Sequence, residues 1–230
     1  MKTFFRVKET FVTIVCDEGF VRTAEDAIFE ARGIIESKIE QDPFFSVTYE
    51  PYPASGKDDP LIRRMCEASA LAGVGPMAGV AGAVAEHAVT AMRDAGAAEA
   101  IVENGGDIAF LSPERKAIGI YADHPVFRDL AFMVKSDGIL GICSSSEKIG
   151  PSVSLGGSNI CTVFSPNVVL ADCCATALGN LVKGEDTLAG SCERVGAVEG
   201  VDGCVACCDG KIAMFGDVPE LVRADCSRLL

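Results

Sequence analysis

Basic residues are in short supply in this 230-residue chain. Twenty Lys and Arg stand against 33 Asp and Glu, a net charge of −13. No Lys/Arg-rich run relieves that balance, and an acidic surface repels nucleic acid and anionic membranes. Both partner classes are therefore excluded from the reading. Long apolar runs are missing as well: no stretch reaches the ~18 consecutive apolar residues that a membrane-spanning helix needs. Lys2, Arg6, Lys8 and Glu9 interrupt the first segment, so it holds no signal-peptide apolar core, and a cytoplasmic location is expected. There is no tryptophan, and there are only two histidines, His87 and His124. So few do not favour a His-based triad. A Gly-x-Ser-x-Gly elbow is absent, and where a phosphatase-type loop would need arginine, six residues after Cys143, Ile149 stands. No internal repeat or low-complexity linker divides the chain, which reads as a single domain over 1–230.

What is abundant is apolar and sulfur-bearing. Hydrophobic residues make up 49% of the chain, enough for a sizeable core. Eleven cysteines are present. An odd count without an export signal argues against a disulfide framework, and reduced thiols serve well as small hydrophobes. "CVACCDG" (204–210) suggests a chelating Cys-x-x-Cys. If 203–208 is a strand, however, Cys204 and Cys207 point to opposite faces, whereas a chelating pair needs a turn between its members.

Periodicity gives the elements. Residues 3–16 read as a β-hairpin. Thr23 with Asp26 resembles a capping box, followed by helix to Gln41. Proline-rich 42–59 reads as mostly loop, 60–71 as helix, and Pro76–Gly96 as a further helix framed by proline at its start and glycine at its end. Successive strands are expected at 98–103, 107–112, 117–122, 129–135, 139–143 and 159–164. A helix is expected at 168–183, a hairpin at 203–208 and 211–215 turned by Asp209-Gly210, and a short helix at 218–224. Helices flanking a run of consecutive strands indicate α+β.

Three stretches carry candidate chemistry. In the 168–183 helix, apolar on nearly every face, Asp172 and Thr176 lie one turn apart on the same face. A carboxylate and a hydroxyl form a hard-oxygen pair suited to Mg2+ or Ca2+. The competing reading places Asp172 near the helix start, half solvated and favoured by the dipole. In "VENGGDI" (102–108), Asn-Gly between apolar runs signals a hairpin and accounts for Asn104 and Gly105. Gly106 and Asp107 go beyond that need, and paired glycines let a ligand approach backbone N–H groups. Gly79 and Gly82, each costing ~1 kcal/mol against alanine in a helix, imply that something presses on them, with helix–sheet packing the plain explanation. "GICSSSEKIG" (141–150) reads as a hydroxyl-rich loop that lines a site, with Cys143 a nucleophile only in principle. Gly73-x-Gly75-x-x-Ala78 is an incomplete dinucleotide fingerprint, because helix rather than strand precedes it.

In order and spacing, "VENGGDI", "ICSSS" and "LADCCATALGN" resemble the ApbE-like superfamily, whose best-known members are FAD:protein FMN transferases. "GVGPMAGVAGAVAEHA" and "GIYA" resemble its shorter, cytoplasmic, poorly characterised branch, over most of residues 60–183. The resemblance implies an α+β, T-fold-related antiparallel sheet packed against helices. It implies Mg2+ held by Asp172 and Thr176, which would be the catalytic pair, with the Ala81 carbonyl completing the protein ligands. It implies a flavin nucleotide, FAD or FMN, at Asn104, Gly105, Gly106 and Asp107, with Ser144 and Ser145 also lining the cofactor site. FMN transfer to a threonine of an acceptor protein, and a homodimer, are further implications. Gly82 stands where the transferases carry lysine, and Pro151 and Glu147 where the branch carries histidine and glycine. The alternative expectation is a non-catalytic or sulfur-handling accessory protein on the same fold, since the branch is linked in anaerobes to sulfide assimilation and homocysteine formation.

Overall fold

The computed structural model describes residues 1–7, 10–119, 124–125, 127, 129–146 and 157–224. The strands are β1 (Lys2–Val7), β2 (Thr10–Cys16), β3 (Ala100–Asn104), β4 (Asp107–Gly119), β5 (Leu130–Ser145), β6 (Ile160–Ser165), β7 (Gly203–Cys208), β8 (Lys211–Gly216) and β9 (Glu220–Arg223). They form one antiparallel sheet in sequence order β1 to β8, with β9 added to β5. The helices are α1 (Val21–Gln41), α2 (Phe44–Val47), α3 (Pro60–Ala72), α4 (Val80–Asp94), α5 (Val168–Leu181) and α6 (Glu185–Gly196). The α+β expectation holds.

Strand alternation gives the sheet two different faces. Ala100, Val102, Ala109, Cys143, Cys161, Val163 and Cys204 face the helices and join their apolar sides in the main core. Ile101, Phe110, Ile142, Phe164 and Cys207 point the other way into a smaller core. That second core is closed by the chain's longest hairpin. β4 and β5 shift register between Phe110 and Ser112 and again between Ser112 and Lys116. Pro113, which cannot donate to a ladder, falls within the second shift. Beyond the bend, Ile118, Phe132 and Val134 pack with Ile142 and Phe164, and the Phe132 and Phe164 rings meet edge-on at 4.9 Å. The expected breaks at 112–117 and 135–139 are therefore bends within continuous strands. The strand expected to end at 122 runs to Gly119, and residues 120–122 lie outside the described residues.

Two further expectations are corrected. Residues 220–223 form β9, not a helix, because residues 130–133 of β5 offer an open edge that this four-residue segment fills. Thr23 does not cap α1. A 3-10 turn at Glu18–Phe20 runs directly into the helix at Val21, leaving Thr23 inside its first turn. The proline-rich 42–59 segment contains the short helix α2. No single described helix is long and apolar enough to cross a membrane.

Candidate functional site

The site is assembled where α4, α5 and the β3–β4 turn meet. Asn167 starts α5 by accepting the Leu170 N–H at 3.1 Å, which caps the helix. The helix then lies directly on β5: a Cβ at Gly141 would sit 2.7 Å from the Val168 Cα and 3.0 Å from the Ala171 Cβ. On its other side α5 meets the start of α4. A Cβ at Gly79 would lie 2.8 Å from the Cys173 Sγ, and one at Gly82 would lie 2.9 Å from both the Asp172 Cβ and the Val168 carbonyl oxygen. The two glycines thus accommodate a neighbouring helix, where the sequence suggested a sheet. A lysine at 82, as in the transferases, would strike Asp172.

That packing encloses Asp172, which is 6% exposed. The half-solvated reading of this residue is overturned: Asp172 is the fifth residue of α5, beyond its first turn, and the start of α4 packs directly against it. Its carboxylate accepts the Gly82 N–H at 2.8 Å and the Ala81 N–H. Thr176, one turn on, is half-buried. The Ala81 carbonyl accepts the Asn104 side-chain amide at 3.1 Å, which ties α4 to the β3–β4 turn.

Both glycines of that turn are explained by its geometry. Gly105 (φ 67°) and Gly106 (φ 102°) are the two central residues, and Asn104 and Asp107 are the paired residues flanking them. The Gly106 N–H is braced by the Glu103 carboxylate at 2.9 Å. The feature left over after the turn is satisfied is therefore Asp107. It pairs with Cys143 across β4 and β5 and, like Ala109 two residues on, faces the helices. Its carboxyl lies close enough to Asp172 for the two acids to act on one another electrostatically. Burial, and then the charge of Asp172, push its pKa well up; burial does the same to Asp172. No described Lys, Arg or His pairs with either carboxylate. The Asp107 Oδ1 is buried with no hydrogen-bond partner.

Ser144 and Ser145 diverge, as strand neighbours must. The Ser144 hydroxyl meets Thr162 Oγ1 at 2.9 Å on the face away from the helices, while the Ser144 N–H donates to the Gly106 carbonyl at 3.2 Å. Ser145 is buried on the face of Cys143. Burial and the two aspartates raise the Cys143 pKa, making it a neutral core thiol rather than a nucleophile. Cys204 and Cys207 do lie on opposite faces. His87 sits 3.3 Å from Glu30 on the surface, and His124 stacks near Phe127. Glu147 and Pro151 lie outside the described residues.

The oxygen donors fit a hard divalent cation: two carboxylates without a positive neighbour, a hydroxyl and a carbonyl, with the buried Asp107 Oδ1 left without a partner. No cluster of three or more His, Cys, Asp and Glu occurs among the described residues, so a softer, zinc-like centre is not indicated there.

The family model described as AbpE bacteria matches residues 3–201. A UPF0280 protein of Methanocella arvoryzae is 42% identical over 96% of this chain and 90% of its own length. One from Archaeoglobus fulgidus is 44% identical over 96% and 94%. Among solved structures, the flavin transferase ApbE from Vibrio cholerae superposes over 100% of this chain and 99% of its own, with a TM-score of 0.61 at 13% identity. The ApbE protein from Thermotoga maritima gives 0.58 at 14% identity, over 99% and 98%. At such identities the last two establish the fold. The chain thus belongs to the AbpE bacteria family, an ApbE-like family that it shares with the archaeal UPF0280 proteins.

Proposed function

We propose that the chain binds Mg2+ through Asp172, Thr176 and the Ala81 carbonyl, takes FAD against the Asn104–Asp107 turn, and transfers FMN to a threonine of an acceptor protein. One observation carries this reading: Asp172 is a buried carboxylate with backbone N–H donors but no described cationic side chain, set beside a turn of two glycines. The flavin is suggested by the solved ApbE neighbours, two of which are named flavin or flavinyl transferases.

Each residue has a part. The Ala81 and Gly82 N–H groups orient Asp172, and Asn104 orients the Ala81 carbonyl. Gly105 and Gly106 leave the turn bare, so a nucleotide can lie close to backbone. A divalent cation bound here would supply charge stabilisation for the FAD diphosphate. In the transfer, the threonine oxygen bonds to the FMN phosphorus, the bond to AMP breaks, and AMP takes up the hydroxyl proton.

Gly82 favours a second reading, a flavin-nucleotide binder that does not transfer, because the packing of α4 on Asp172 leaves no space for the lysine of the transferases. The sulfur-handling version gains nothing from the thiols: all ten described cysteines are buried. The test is a flavin-fluorescence titration with and without Mg2+, followed by mass spectrometry of a threonine-containing acceptor peptide. Mg2+-dependent binding with labelling supports transfer, and binding without labelling supports the second reading. A folded protein that binds no FAD at high micromolar concentration refutes both.

A further inference from the structure

We propose that Asp107 is a direct ligand of the cation, so that one carboxylate from β4 and one from α5 hold it jointly with Thr176 and the Ala81 carbonyl. This rests on the cation-site reading above and changes the part played by Asp107 within it: the residue belongs to the metal and not to the flavin.

Strand alternation is the first reason. Asp107 shares its direction with Ala109 and Leu111, toward the helix layer, whereas a nucleotide lying along the turn would meet Gly105 and Gly106. Burial is the second. Asp107 is 8% exposed, and its Oδ1 is enclosed without a donor. The nearby donors are engaged elsewhere: the Ser144 N–H donates to the Gly106 carbonyl at 3.2 Å and the Cys143 thiol to the Val168 carbonyl at 3.6 Å. Neighbourhood is the third: Cys143, the cross-strand partner of Asp107, touches the Val168 carbonyl one turn before Asp172 on α5, the two acids act on one another electrostatically, and no described cationic side chain pairs with either. Two adjacent carboxylates in a low-dielectric interior must share a proton or a cation. A divalent ion cancels both charges and takes up the unused oxygen, and hard cations accept six or more oxygen ligands. A site with two carboxylates has a property that a one-carboxylate site lacks: it takes the cation before, and without, the nucleotide.

The probe is Mn2+ alone, followed by loss of the free-ion EPR signal on titration into the purified, metal-free full chain. The wild type is expected to bind one Mn2+ per chain without flavin. Asp107→Asn is expected to weaken that binding at least ~10-fold, as loss of a metal-orienting group commonly does. The carboxamide keeps the shape and removes like-charge repulsion, so this variant should melt no lower than the wild type in metal-free buffer. Asp107→Ser, smaller and also without the carboxylate, gives a second measure of the same loss. If either variant is folded and binds Mn2+ as tightly as the wild type, the inference is overturned. If in addition Asp172→Asn abolishes Mn2+ binding, the cation site stands and only the role of Asp107 falls. If the folded wild type takes up no Mn2+ with or without FAD, the cation-site reading itself falls, and this inference with it.

Discussion

Asp58 and Asp172 are both largely withdrawn from water, and the chain provides for them differently. Asp58 lies 2.9 Å from Lys38, with each side chain little more than a tenth exposed, and the lysine also sits over the rings of Tyr52 and Phe45. Lys38 and the Ser55 N–H hold the Asp58 pKa below the ordinary carboxylate value. Glu86 is likewise buried and pairs with Arg64. These are closed arrangements, in which the opposite charge comes from the chain itself. Asp172 has backbone donors and a second acid, Asp107. The difference separates structure from function. A buried acid with its own cation completes the fold, and a pair of acids without one must share a proton or, as proposed above, take a cation from outside.

The largest expected effect breaks the comparison at Asp172. Asp172→Asn should lower Mg2+-dependent FAD binding at least ~100-fold, the loss of about 3 kcal/mol, because the amide cannot supply the charge. In metal-free buffer the same variant should be no less stable than the wild type by thermal melting. Gly82→Ala comes next. Its methyl group must enter where only 2.9 Å separates it from Asp172. About 2 kcal/mol of destabilisation is expected from overpacking, together with weaker cation binding; an unchanged Tm would mean that α4 and α5 can part without cost. At the closed pair, Asp58→Asn should cost between about 1 and 2 kcal/mol in denaturant unfolding, since Lys38 loses its partner while part of the pair remains hydrated. It should leave FAD binding unchanged.

The smallest effect is in pH. Burial raises the pKa values of Asp107 and Asp172 in the metal-free fold. Their contribution to stability is therefore full below the ordinary carboxylate range and is lost as pH rises through the raised values. Asp58 has the opposite sign: its contribution is present above the ordinary range and is lost as pH falls through its lowered value. Metal-free protein should accordingly melt lower at pH 8 than at pH 6, and saturating Mg2+ should remove that slope. A slope that persists with Mg2+ would place its origin away from these two acids.

Much of this was readable in the chain. The 3.6-residue pattern located α3 and α5, Asp209-Gly210 located the last tight turn, and the placement of Asp172 and Thr176 one turn apart on a single helix followed from helical spacing alone. What escaped was non-local. The four residues of β9 are too few to show a period, and it is the open edge of β5 that makes them a strand. The bends of β4 and β5 look like strand ends in sequence, because Pro113 and Gly138 punctuate both. α6 carries its own local signals, with Leu188, Cys192 and Val195 on one face, acids in its first turn and Arg194 in its last. The meeting of Asp107 and Asp172, 65 positions apart, is carried by the β4–β5 register and the seating of α5 on Gly141, neither of which any local window contains.

The thiols add a practical consequence. Ten cysteines are shut inside, spread over strands and helices from Cys16 to Cys208. An alkylating reagent can reach them only when the surrounding segment opens, so the rate at which each gains mass reports the opening free energy of its own neighbourhood. The chain thus carries its own set of stopwatches, and those at Cys143 and Cys173, flanking the acid pair, would run slower once a cation settles there.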